Sequence, residues 1–195
     1  IDGLISNAGV GPTAPAEKIF ALNFYAGTYI AEGLRPLLIK KKGCCVMTCS
    51  NTITNSIVRM DWVELLTNLR NRERGMDLAR MIPKEKGPAA YSSSKCALAR
   101  WIRRVSPNWA VDGLRINGVA PGNTTTPMTK GMTEQQRNAA LLIPIPTRYG
   151  TKEFLDAEEI ANSIVFLASR KASGINGEIL FADGGIDALM HSERF

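Results

Sequence analysis

Tyr91-Ser92-Ser93-Ser94-Lys95, with Ala97, Leu98, Trp101, Ile102 and Val105 after it, is the stretch that decides how this chain is read. The apolar spacing predicts a helix from about residue 88. On a helix, positions four apart lie one above the other, so Tyr91 and Lys95 share a face. A phenol alone is a poor base near neutral pH, with a pKa of about 10. An ammonium held beside it favours the phenolate and lowers that value. Such a pair can give a proton to a bound oxygen or take one away. Two surface residues on any helix can carry the same spacing, so the pair gains weight only if the flanking segments agree.

Downstream, Ser106-Pro107 is expected to break the helix, because an interior proline costs about 3 kcal/mol. Ser106 would cap a second piece, with Pro107 in its first turn. Residues 114–119 read as a strand, and Ala120-Pro121-Gly122-Asn123-Thr124-Thr125-Thr126-Pro127 as a rigid, hydroxyl-rich loop beyond it. A capping box from Thr133 to Gln136 opens a helix expected to reach about residue 143. A further helix follows Asp156, with Ile160, Ile164, Val165 and Leu167 on its apolar face, and residues 178–181 form a last strand before Asp183-Gly184-Gly185.

Upstream, residues 53–88 read as a helical insertion of two short helices, one carrying Met60, Val63, Leu65, Leu66 and Leu69, the other Met76, Leu78, Ala79, Met81 and Ile82. Before it, residues 44–49 form a continuous apolar strand, with Ser50 just past its end. In open parallel sheets that end is where ligands sit. A long helix over residues 16–41, with Ile19, Leu22, Tyr25, Tyr29, Ile30, Leu34 and Leu37 as its apolar face, contains Asn23 on or near that face. Pro36 should bend its last turns and Gly43 should end it. Residues 1–6 make a short strand that runs into Asn7-Ala8-Gly9. Strand and helix alternate throughout, which implies an α/β fold with a parallel, doubly wound sheet.

Composition narrows the function classes. The chain has 195 residues and a formal net charge of +6, with basic clusters at Lys40-Lys41-Lys42, between Arg70 and Arg74, and at Arg100, Arg103 and Arg104. No aromatic-rich basic motif accompanies them, so they read as solvated faces and no nucleic-acid partner is expected. Cys44, Cys45, Cys49 and Cys96 show no C-x-x-C spacing, and His191 is the only histidine, so neither a metal site nor a disulfide frame is expected. Reduced thiols fit a cytoplasmic protein. No apolar run is long enough to cross a bilayer, and no membrane partner is expected.

Taken together, the motifs resemble the short-chain dehydrogenase/reductase family. Asn7-Ala8-Gly9 is similar to the family's N-A-G, Gly43 to Ser50 to its strand ending in a catalytic serine, and Tyr91 and Lys95 to its Y-x-x-x-K. Asn23 falls at the family's helix asparagine. Pro121-Gly122 with Thr124 and Thr126 is similar to the P-G loop that holds the nicotinamide amide, and Asp183-Gly184-Gly185 to the terminal D-G-G. These motifs occur in the family's order and cover essentially the whole chain.

The resemblance implies a Rossmann-type sheet and a dependence on NAD or NADP. It implies interconversion of a secondary alcohol and a ketone. Ser50 would hold the substrate oxygen, Tyr91 would move its proton, Lys95 would lower the Tyr91 pKa and bind the nicotinamide ribose, and Asn23 would hold a water leading to Lys95. Asn7, Ala8, Gly9, Pro121, Gly122, Thr124 and Thr126 would line the cofactor, together with Tyr91 and Lys95. The interval of 41 positions from Ser50 to Tyr91, and the ending from Asp183 to Met190, are similar to the bacterial hydroxysteroid dehydrogenase/carbonyl reductase branch, which implies a steroid or other carbonyl substrate. An acyl thioester or a sugar is one alternative, and a truncated chain inactive for lack of the cofactor phosphate loop is the other. The segment from Met128 to Ile143 is a candidate substrate lid, and the insertion is expected to leave a homodimer. No G-x-x-x-G-x-G occurs in the sequence. The expectation is therefore that residues 1–195 are the C-terminal portion of a dinucleotide-binding domain, with an open edge at the first strand, and that this portion alone binds dinucleotide poorly.

Overall fold

The computed structural model describes residues 1–68, 72–151 and 153–193. Leu69 and Arg70, named above for the insertion and a basic cluster, lie outside the described residues. Along β2 (Cys44–Thr48), Cys45 and Met47 enter one apolar core and Val46 enters another. β3 (Arg115–Pro121) divides likewise, with Ile116 and Ala120 on the first side and Val119 on the second. Successive strand residues point to opposite faces, so a sheet covered on both faces reads as an unbroken apolar run. With β1 (Gly3–Ser6) and β4 (Ile179–Ala182) these strands form, among the described residues, a four-stranded parallel sheet in the order β1-β2-β3-β4. Leu4 pairs with Cys45, Cys45 with Ile116, and Val119 with Leu180. The fold is the expected Rossmann-type α/β sheet. β1 lies at an edge, and Ile5 on it is 50% exposed.

One face of the sheet is covered by α1 (Ala16–Phe20), α2 (Gly27–Ile39) and α5 (Gly87–Val111), through Phe20, Ala31, Leu38, Ile102 and Trp109. α8 (Ala157–Ala168) covers the other through Ile160, Ile164 and Leu167. The insertion forms α3 (Met60–Thr67) and α4 (Arg72–Met81), and Trp62, Val63, Leu66 and Ala79 pack into the first core.

Three expectations are corrected. The helix expected over residues 16–41 is divided by a π-helical turn, Ala21–Ala26, which contains Asn23. A π turn carries extra backbone per turn and rotates the faces that follow it. Ile19, Phe20, Phe24, Ala31 and Leu38 are the buried row, while Leu22, Tyr29, Ile30 and Leu37 from the expected apolar face are exposed. At the end of α2, Lys42 rather than Gly43 takes positive φ, at 49°, and the Gly43 N–H closes on the Leu38 carbonyl.

The second correction concerns Ser106-Pro107, which does not break α5; the helix runs on to Val111. Pro107 has no N–H for the Arg103 carbonyl four residues back, and the Ser106 hydroxyl donates to that carbonyl at 3.1 Å. The orphaned acceptor is satisfied, so the helix continues.

Third, the helix expected to reach about residue 143 opens at the expected Thr133–Gln136 capping box but ends earlier, as α7 (Glu134–Ala140), and a separate short helix, α6 (Pro127–Lys130), precedes it with its own capping box at Thr126. The Thr133 box restarts the helix, and Leu142 is 82% exposed. α9 (Ile186–Met190) closes the described chain after β4.

Candidate active site

Parallel pairing brings the carboxyl ends of the strands to one rim, and a cleft of about 620 Å³ opens there. Ser50, Tyr91 and Lys95 all line it, as do Asn7, Gly9, Pro121, Gly122, Thr124 and Thr126. Ala8 is exposed and stands outside the lining.

Ser50 follows β2 and caps the 3-10 turn Asn51–Thr54, accepting the Thr52 N–H at 3.3 Å and the Thr52 hydroxyl at 3.1 Å. Tyr91 comes from the first turns of α5 and shares the cleft wall with Ser50. Lys95, one helical turn further and only 5% exposed, donates from Nζ to the Thr48 carbonyl at 2.6 Å. The end of β2 therefore anchors Lys95 and sets Ser50 beside Tyr91 on the same cleft.

The expected direction of the tyrosine shift is corrected. Burial pushes the Tyr91 phenol above its usual value; the Ser50 side chain opposes this, and a Coulombic contribution from Cys49 adds to it. Burial also pulls the Lys95 ammonium below its usual value, against a smaller upward effect of Cys49. Burial penalises the charged form of each group. In this state Tyr91 is held as a neutral phenol, which is the form that donates a proton.

Asn23 is 2% exposed, and both ends of its amide bond Val10. Oδ1 accepts the Val10 N–H at 2.8 Å and Nδ2 donates to the Val10 carbonyl at 3.0 Å. The side chain expected to hold a water thus clamps the loop after Gly9. A Cβ on Gly9 would lie 2.9 Å from Asn23 Oδ1 and 3.7 Å from Lys95 Nζ, so Asn23 and Lys95 flank that glycine. Asn7 Oδ1 accepts the Thr48 hydroxyl at 2.7 Å, tying the N-A-G loop to β2.

In the P-G loop the Thr124 hydroxyl donates to the Gly122 carbonyl at 2.9 Å, and the Thr126 hydroxyl caps α6. Met128 and Met132 line the cleft, with Ile160, Ala161 and Ile164 of α8 also on its wall. Leu141, Leu142 and Ile143 of the expected lid do not line it. The Thr48 carbonyl had no sequence signal, because a main-chain acceptor is independent of residue type. Ile160 and Ile164 read equally well as ordinary core.

The residues present fit the nicotinamide end of a dinucleotide. Among the described residues Lys95 has one acceptor, which leaves two of its three ammonium donors for a diol in the cleft. No group of three or more His, Cys, Asp or Glu side chains that could hold a metal occurs among the described residues. Nor is any described helix long and apolar enough to cross a membrane.

A parallel sheet with a serine, tyrosine and lysine at its carboxyl rim defines a Rossmann-type oxidoreductase scaffold. A family model described as enoyl-(acyl carrier protein) reductase matches residues 76–187. The 3-alpha-hydroxysteroid dehydrogenase/carbonyl reductase of Comamonas testosteroni is 28% identical over 198 residues, covering 100% of this chain and 76% of that protein. The gluconate 5-dehydrogenase of Gluconobacter oxydans is 28% identical over 195 residues, covering 95% of this chain and 64% of that protein. Among solved structures, the 3-alpha-hydroxysteroid dehydrogenase of Pseudomonas sp. B-0831, complexed with NADH, superposes with a TM-score of 0.88 at 30% identity, covering 100% of this chain and 76% of that one. The chain belongs to the short-chain dehydrogenase/reductase family, whose members are NAD(P)-dependent oxidoreductases.

Proposed function

We propose that this chain carries the catalytic half of a dinucleotide-binding domain, with the insertion at residues 53–88, that interconverts a ketone and a secondary alcohol. The observation that carries the reading is the convergence of Ser50, Tyr91 and Lys95 on one cleft. In the reduction direction, the Ser50 hydroxyl donates a hydrogen bond to the substrate carbonyl oxygen and fixes it beside Tyr91. The Tyr91 phenol then delivers its proton to that oxygen as negative charge develops there. Lys95, anchored on Thr48, supplies positive potential behind the phenol and donors to the nicotinamide ribose. Asn23, through its two bonds to Val10, keeps the N-A-G loop closed against Lys95. Asn7, Gly9, Pro121, Gly122, Thr124 and Thr126 would hold the nicotinamide of NADH or NADPH, which when bound would supply the hydride for the carbonyl carbon.

The preferred substrate is an apolar, ring-sized ketone such as a 3-ketosteroid. Met128, Met132, Ile160 and Ile164 give the cleft an apolar wall, and methionine adapts to irregular apolar surfaces. The gluconate 5-dehydrogenase relative and the acyl-carrier description of the family model support a second reading, a sugar acid or an acyl thioester. The assay is oxidation of NADH, NADPH or reduced nicotinamide mononucleotide at 340 nm with a 3-ketosteroid, a 5-ketogluconate, an acetoacetyl thioester and cyclohexanone. Highest kcat/KM on the steroid supports the first reading, and on either polar substrate the second. Tyr91→Phe should lower kcat by about 100-fold or more, with the chain still folded. A Tyr91→Phe variant with undiminished turnover would overturn the assignment. The exposed Tyr29, Ile30 and Leu37 of α2 support a homodimer, which light scattering of the eluted protein would test.

A further inference from the structure

Thr54 ends the 3-10 turn that begins after Ser50, yet it is not part of the cleft wall. Its hydroxyl donates to Asp187 Oδ1 at 2.6 Å, across 133 positions of sequence; the Asn51 carbonyl lies further off, at 3.1 Å. Among the described residues, this is the one hydrogen bond that ties residues 51–55 to chain outside residues 50–58. The turn's other bonds are local. The Thr52 N–H and hydroxyl reach Ser50 Oγ, and the Ile53 N–H reaches the Ser50 carbonyl at 3.3 Å.

Asp187 is itself held firmly. Its N–H donates to Asp183 Oδ2 at 2.7 Å, while Asp183 Oδ1 accepts the Gly185 N–H at 2.9 Å. Asp183 is buried, and a Cβ on Gly122 would meet its Cα at 2.8 Å, so Asp183 is packed on the P-G loop. The Asp187 carboxylate also contacts His191 Nδ1 at 3.0 Å, one turn along α9. A carboxylate fixed from two sides is a stiff acceptor for Thr54, and a charge-assisted hydrogen bond of this length is among the stronger kinds.

We infer that Thr54 and Asp187 form a positioning latch, in which α9 holds the turn that aims the Ser50 hydroxyl at the substrate carbonyl. Neither residue touches substrate; both act through Ser50. The latch connects the terminal D-G-G segment and the P-G loop to the serine, so the two sides of the cleft share one support. The inference rests on the proposed role of Ser50, and it specifies what makes that role depend on the C-terminal segment.

The test compares Thr54→Val, which keeps the branched shape and removes the hydroxyl, with Thr54→Ser, which keeps the hydroxyl. The readouts are amide hydrogen exchange at Thr52 and Ile53, and kcat and KM on the preferred ketone. Thr54→Val should speed exchange at Thr52 and Ile53 about tenfold with α5 amides unchanged, and lower kcat about tenfold with KM within about twofold. Thr54→Ser should restore both. Unchanged exchange in Thr54→Val overturns the latch. Faster exchange with unchanged kcat overturns its role in placing Ser50. If the wild type reduces no carbonyl even with saturating reduced nicotinamide mononucleotide, which needs no adenine half of the site, the reading of Ser50 falls, and with it the latch's catalytic role, while the exchange result still decides whether the latch exists.

Discussion

Replacing Asn23 by alanine removes both bonds to Val10 in one step. The Val10 N–H loses an acceptor at 2.8 Å and the Val10 carbonyl loses a donor at 3.0 Å. Orphaning a buried polar group costs about 1–3 kcal/mol. Val10 is half-buried, so water recovers part of that, and the pair together should cost about 2–4 kcal/mol. Alanine's better helix propensity returns only about 0.5 kcal/mol. Against a typical stability of about 5–15 kcal/mol this is a large loss. For a domain of this size it corresponds to a fall in Tm of about 5–15 °C. Asn23→Asp should fall between the two, because a carboxylate still accepts the N–H but cannot donate to the carbonyl. Urea unfolding measures the effect as a lower midpoint at constant slope. A change below about 0.5 kcal/mol in Asn23→Ala would refute the clamp, since no buried backbone group would then have been orphaned.

Lys95 is buried with its folded pKa below the usual value, so the folded state carries the cost of a buried charge at neutral pH. As pH rises through that folded pKa towards the ordinary lysine value, the folded protein releases the proton first and stability rises. The urea midpoint of the wild type should therefore gain on that of Lys95→Met across this window, while Lys95→Met loses turnover; a pH-independent difference in midpoint would contradict it. A Cβ on Gly75 would lie 2.0 Å from the Tyr25 hydroxyl, which is buried and has no hydrogen-bond partner among the described residues. Gly75→Ala should cost about 1–3 kcal/mol, and the Tyr25→Phe background should relieve most of it in a thermal double-mutant cycle. Burial pushes the Cys45 and Cys49 thiols up to about 12. At pH 8 both should resist iodoacetamide in the native protein and react in urea, read by peptide mass; native labelling of Cys49 would show that its burial is wrong.

The doubly wound sheet was legible in the sequence because strands and helices alternate, and because Cys44 to Met47 is an unbroken apolar run, as a strand covered on both faces requires. Ser50, Tyr91 and Lys95 were legible as candidates because each lies at a fixed step from a strand end or along one helix turn. The phase of the helix around Asn23 was not legible. Apolar residues lie on both of its sides, and the π turn that selects Phe24, Ala31 and Leu38 for the core has no local signature. Pro107 misled for a related reason: the rescue of the Arg103 carbonyl by Ser106 is a rotamer choice rather than a composition.

The sequence by itself determined the order of strands and helices, the end of β2 as the place where chemistry would sit, and the four-residue step from Tyr91 to Lys95. Those follow from periodicity and local backbone preference, which act over a few residues. Tertiary structure alone decided that the Thr48 carbonyl anchors Lys95, that Asn23 closes on Val10, and that Asp187 reaches Thr54. It also decided the sign of the Tyr91 shift, because desolvation depends on everything packed around a group and not on the neighbour one helical turn away.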